Sequence, residues 1–143
     1  MVVTETVLKR IDIRSDIADI YKVREAVLAE MLASGYTGDA RMSVAVAIDE
    51  VLANAICHGN RNKPDLMVEV GYSVGPEEVN IKVKDQGRGF DWRKNRRLSG
   101  EDDFTGYEIS GRGLFLIHEV MSSVEFNDAG NEVTLTKCRQ EAA

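Results

Sequence analysis

The chain is patterned around one stretch, Met42 to Asn60. Val44, Ile48, Val51, Leu52, Ala55 and Ile56 recur there at helical spacing and form one broad apolar face, as a core-facing helix requires. The spacing predicts a helix from near Asp39 to Gly59. Glu50, Asn54 and His58 follow at i, i+4 and i+8, a polar line along one edge of that face. Upstream, Val3, Val7, Ile11 and Ile13 share odd positions with Glu5 and Lys9, the period of a strand. Ser15 then reads as an N-cap with Asp16 in the first turn, Ile17, Ile20, Val27, Leu28 and Met31 supply a helical stripe, and Gly35 is a natural stop.

After RNKPD the period changes to two. Leu66, Val68, Val70, Tyr72 and Val74 alternate with Met67, Glu69, Gly71 and Ser73, and the Gly75-Pro76-Glu77 turn returns the chain through Val79, Ile81 and Val83. Residues 92 to 112 carry no useful periodicity. They gather Arg93, Lys94, Arg96 and Arg97, and a loop this long inside a domain reads as a lid or binding loop. Gly111-Arg112-Gly113 opens a last helix with the stripe Leu114, Ile117, Val120 and Met121. Val124 and Phe126 form a short strand, and Val133 to Cys138 the closing one. The elements predict an α+β, two-layer sandwich over residues 1–143, one domain, with a mixed, mostly antiparallel sheet and the helices on one face.

Composition narrows the function. The formal net charge of -6 argues against a nucleic-acid binder, and no apolar run is long enough to span a membrane. The beginning of the sequence lacks a signal peptide's hydrophobic region, so a cytoplasmic location is expected. Two cysteines are too few for a disulfide framework, and a zinc site from Cys57, His58, His118 and Cys138 would lack the paired short spacing of such sites.

Three motifs carry the chemistry. A carboxylate and a carboxamide bordering a buried face need a partner that offsets their desolvation, and a metal-bound phosphate is one: Glu50 as a base or water-positioner, Asn54 as an oxygen ligand for Mg²⁺. Asp85 ends a strand, and its carboxylate suits the exocyclic amine of adenine. Gly87 and Gly89 remove bulk so that a base or ribose can approach the backbone. Gly111 to Gly113 place flexible backbone at a helix N-terminus, where free N–H groups and the dipole favour phosphate. Taken singly, each motif is also an ordinary structural feature: a solvated helix edge, a turn after a strand, a helix start.

In order and spacing together, IDEVLANAICHGN, VKDQGRGFD and GRGLFLIHEVM closely resemble the N, G1 and G2 boxes of the GHKL, or Bergerat-fold, ATPases. The short length, the NAICHGN ending and the GRGLFLI form resemble, within that superfamily, the bacterial anti-sigma regulatory factor or serine-protein kinase family. The resemblance implies ATP and Mg²⁺ as cofactors. It implies Glu50 as general base, Asn54 as Mg²⁺ ligand, and Asp85 as the adenine reader with Gly87, Gly89 and Phe90 beside it. Gly111, Arg112, Gly113 and Leu114 would lie at the phosphates. His58 would touch a phosphate or satisfy the helix end. Asn131 stands where relatives often carry a threonine that binds adenine through water, with Thr134 and Thr136 further along. Members phosphorylate a serine on a STAS-type anti-sigma factor antagonist, many also bind a sigma factor, and homodimers are usual. The alternatives are a regulatory binding module of this fold without phosphotransfer, a histidine-kinase catalytic domain, and a mechanical ATPase. The sequence retains Glu50 and Asn54, has no room for a dimerisation helix pair and shows no transducer domain, which speaks against each in turn.

Overall fold

The computed structural model describes residues 8–89 and 111–139. Two short strands, β1 (Lys9–Arg10) and β2 (Ile13–Arg14), lead into a 3-10 turn (Ile17–Asp19) and α1 (Ile20–Ala33). Then come α2 (Gly38–Asn54), a π-helical turn (Ala55–Gly59), β3 (Met67–Val74), β4 (Glu78–Lys84), α3 (Gly111–Val120), β5 (Ser123–Phe126) and β6 (Glu132–Cys138). The sheet order is β1-β3-β4-β6-β5, with β2 also on β3, and every pairing among the described strands is antiparallel. The long first strand expected from the odd-position pattern is two short pieces, and its beginning, before residue 8, lies outside the described residues.

Alternation decides what each face does. Val68, Val70 and Tyr72 of β3, Val79, Ile81 and Val83 of β4, and Val133 and Leu135 of β6 are buried. They form one core with Val23, Val27 and Met31 of α1, Val44, Ile48, Val51 and Leu52 of α2, and Ile117 and Met121 around α3. The other parity is polar: Thr136 Oγ1 donates to Asn80 Oδ1 at 2.9 Å, and Lys82 lies 3.8 Å from Glu132. The helices therefore cover one face, giving the two-layer sandwich that the periods predict.

Helix ends were less legible. Asp16, not Ser15, caps the 3-10 turn, accepting from the Ala18 N–H at 2.9 Å. Ser15 is buried, and its hydroxyl donates instead to the Leu66 carbonyl at 2.6 Å. Gly35 does stop α1: its φ is +83°, and the N–H groups of Gly35 and Tyr36 return to Leu32 and Met31, a Schellman closure that glycine makes at no steric cost. Thr37 caps α2 through the Ala40 N–H at 3.1 Å. At its far end α2 widens into the π turn, with Asn60 N–H on Ala55 O at 2.8 Å, and then Arg61 and Asn62 take left-handed φ values of 54° and 58°. π turns and left-handed non-glycine residues concentrate where a fold re-aims side chains for function.

Candidate functional site

β4 delivers Asp85 to the place where the end of α2 and the β5–β6 turn meet. The Asp85 N–H donates to the Asn131 carbonyl at 2.9 Å, and its Oδ1 accepts from the Gly87 N–H at 2.7 Å. The side chain is half-buried, and burial pushes its carboxyl above the usual range, with the Gly87 hydrogen bond pulling it partly back. Space around it is tight. A Cβ on Gly59 would collide with the Asp85 carboxylate, and one on Gly87 with the Gly59 carbonyl. Gly89 sits at φ +84°, where a Cβ would strike the Ala129 carbonyl. The two glycines of the DxGxG stretch are thus required first by the protein's own backbone, whatever ligand approaches afterwards.

Three asparagines hold this corner. Asn60 is 1% exposed and uses both ends of its carboxamide. Its Nδ2 donates to Ser15 Oγ at 2.9 Å and to Met67 O at 3.1 Å, and its Oδ1 accepts from the Gln86 N–H at 2.7 Å. The Gln86 side chain in turn accepts from the Met67 N–H at 2.7 Å. Asn131 donates to Gly87 O at 3.3 Å and accepts from Asn127 Nδ2 at 2.7 Å. Asn127 Oδ1 accepts from three successive N–H groups, those of Gly130, Asn131 and Glu132. Sequence reasoning placed Asn131 here but passed over Asn60, Ser15 and Asn127. A polar residue just after a helix-ending glycine was the only available hint, and it is common.

Glu50, Asn54 and His58 are half-buried, and their side chains enter no hydrogen bond or ion pair among the described residues. Their neighbour Asp49, by contrast, is tied to Arg24 of α1 at 2.7 Å. The polar line runs toward Gly59 and hence toward Asp85. From Glu50 to Gly59 the helix advances about 13 Å. Cys57 lies within the same turn as a free thiol. The α3 helix begins at Gly111, as expected, with Leu114 buried. Phe90 and the basic loop with Arg93, Lys94, Arg96 and Arg97 lie outside the described residues, and the side chain of Arg112 is not described. Thr136 lies on the sheet face away from the helices, bonded to Asn80. No group of three or more His, Cys, Asp or Glu side chains able to hold a metal occurs among the described residues, and no described helix is long and apolar enough to cross a membrane.

The family of the chain follows from its likeness to known proteins. Residues 13–137 match the model of the histidine kinase-like ATPase domain family. The chain belongs to that family. It is 28% identical over 109 residues to the serine-protein kinase RsbW of Listeria innocua, covering 73% of this chain and 69% of that protein. The serine-protein kinase RsbW of Oceanobacillus iheyensis is 26% identical over 98 residues, 66% of this chain and 62% of the relative. Among solved structures, the RsbU and RsbW domains of Rv1364c from Mycobacterium tuberculosis superpose with a TM-score of 0.57 at 22% identity. That match covers 94% of this chain and 32% of the larger one. A mycobacterial sensor histidine kinase, MprB, gives 0.54 at 17% identity over 94% of this chain and 100% of its own. At these identities the two structures speak for the fold.

Proposed function

We propose that this protein binds ATP with Mg²⁺ and transfers the terminal phosphoryl group to a serine of a STAS-type anti-sigma factor antagonist, acting as an anti-sigma regulatory factor in a partner-switching pathway of the cytoplasm. One observation carries the reading. A desolvated acceptor, Asp85, sits at the end of a helix whose edge presents three half-buried polar side chains that are unengaged among the described residues. The names of the RsbW relatives support the kinase assignment.

In this reading Asp85 accepts a hydrogen bond from the exocyclic amine of adenine, which gives its half-buried charge a second partner beside the Gly87 N–H. Asn54 fits a hard cation. The residue is half-buried and its side chain is unengaged among the described residues, and Mg²⁺ in phosphate sites takes one or two protein oxygens rather than a full protein cage. When bound, the ion would offset phosphate charge. Glu50 orients the incoming serine hydroxyl and takes up its proton as the oxygen bonds to phosphorus and the bond to the departing diphosphate breaks. Gly111 and Gly113 offer backbone N–H groups at the start of α3 to the phosphates, and Arg112 lies beside them in sequence. A sigma factor as second partner and a homodimer belong to the same proposal.

The test is incubation with labelled ATP and candidate STAS proteins. Glu50→Ala should still bind ATP while transfer falls roughly 10²-fold or more. Undiminished transfer in that variant would remove Glu50 from the chemistry, and absence of transfer to any STAS partner would leave a nucleotide-binding module.

A further inference from the structure

We infer that Asn60 is the positioning residue for base recognition, holding Asp85 in register from both sides; this rests on the reading of Asp85 as the adenine acceptor. Asn60 adjoins Gly59, whose α-carbon lies against the Asp85 carboxylate, so one side of the carboxylate is bounded by the residue next to Asn60. The other side is set by the Gln86 N–H, which Asn60 Oδ1 accepts at 2.7 Å immediately after Asp85. The amide end of the same side chain is anchored to Ser15 Oγ and Met67 O. Ser15 is itself anchored on Leu66. One carboxamide therefore joins four segments: the chain leading into α1, the end of α2, the start of β3 and the loop after β4.

The burial of this group makes the geometry exact rather than approximate. At 1% exposure, water does not reach Asn60 to replace a lost partner, and the Gln86 N–H cannot swing away without orphaning the buried Asn60 Oδ1. The left-handed residues Arg61 and Asn62 directly after Asn60 add a conformation that persists only while its surroundings fix it. Ala in place of Asn60 frees the Gln86 peptide and lets Asp85 move relative to Gly59. Hydrogen bonds weaken steeply with misalignment, so what is lost first is the directional contact to the adenine amine, not the general fit of a flat base.

Affinities for ATP and for inosine triphosphate, whose base carries a carbonyl in place of the amine, separate these effects. Wild type should prefer ATP by roughly 30-fold, and Asp85→Asn should abolish that preference. Asn60→Ala, shown to be folded by circular dichroism, should reduce the preference to about threefold or less although it leaves Asp85 in the chain. If Asn60→Ala weakens both nucleotides equally and keeps the wild-type preference while Asp85→Asn loses it, the positioning role is overturned and the Asp85 reading stands. If Asp85→Asn keeps the preference, the Asp85 reading falls and this inference with it. Should Asn60→Ala not fold, Ser15→Ala carries the test. It removes one anchor of the carboxamide and should narrow the preference by about threefold, and an unchanged preference there overturns the role.

Discussion

The two ends of the sheet spend their polar groups differently. At the β3–β4 turn, Tyr36 is 3% exposed and its hydroxyl donates to the Gly75 carbonyl at 2.6 Å. Arg139 lies 4.1 Å over the Tyr36 ring and donates to Ser34 O at 2.6 Å, and Arg41 donates to Tyr36 O at 2.6 Å. Each donor there has found a backbone carbonyl or an aromatic face, so the end closes on itself. At the other end of β4 the asparagines are equally occupied, yet Asp85 keeps a desolvated carboxylate, and Glu50, Asn54 and His58 keep polar atoms that are unengaged among the described residues. A fold gains nothing from desolvating groups it does not pair. In the function proposed above the open end is where the nucleotide binds, and α2 runs the length of the core between the two.

The largest expected effect tests the closed end. Tyr36→Ala removes a buried ring, its hydroxyl bond and the surface under Arg139, and should cost about 3–5 kcal/mol in stability by chemical denaturation. ATP affinity of the folded fraction should stay near wild type, because the proposed site lies at the opposite end of β4. Coupled losses of stability and affinity would mean that the ends are not independent.

Asp85→Asn should do the reverse. The amide presents a donor to the adenine amine, and ATP affinity should fall by about 2–3 kcal/mol in titration calorimetry. Burial holds the folded-state carboxyl above its unfolded value, so folding favours the protonated acid. That stabilisation is present below the unfolded pKa and is lost as pH rises through the folded one. At neutral pH the ionised group opposes folding, so Asp85→Asn should melt no earlier than wild type. A destabilised variant with intact affinity would reverse the roles assigned to the two ends.

The smallest effect lies outside physiological pH. Tyr72 is pushed up to about 12, first by burial and then by its hydrogen bond and proximity to Glu30, whose carboxylate Lys9 contacts at 2.9 Å. Burial likewise raises Tyr36. The stabilisation from a neutral Tyr72 is complete below the ordinary phenol value of 10.0 and disappears as pH rises through about 12. Alkaline absorbance titration should show this late ionisation, and Tyr72→Phe should remove part of it. If Tyr72 titrates near 10.0, the packing around it is looser than its burial indicates.

What could be read from the chain was periodic or local. Alternation at Val68, Val70 and Tyr72 and at Val79, Ile81 and Val83 set the inward face of the hairpin, and the stripe through Ile48, Leu52 and Ile56 set that of α2. These hold because apolar burial depends on which face a residue takes, and the period alone fixes the face. Gly35 was legible too, since a left-handed helix stop is a local requirement. The three motifs announced the family by their order.

Contacts between distant segments decided the rest. Ser15 had the chemistry of an N-cap, but Leu66 and Asn60 offered its hydroxyl buried partners, and Asp16 took the cap. Gly87 and Gly89 were legible as sites needing room, but that the room is filled by the carbonyls of Gly59 and Ala129 follows from how α2 and the β5–β6 turn meet. Asn60 looked like one more polar residue after a helix. Only tertiary structure surrounds it with Ser15, Met67 and Gln86 and buries it, and burial is what turns a common carboxamide into a fixed joint, because in water each of those hydrogen bonds has a ready substitute.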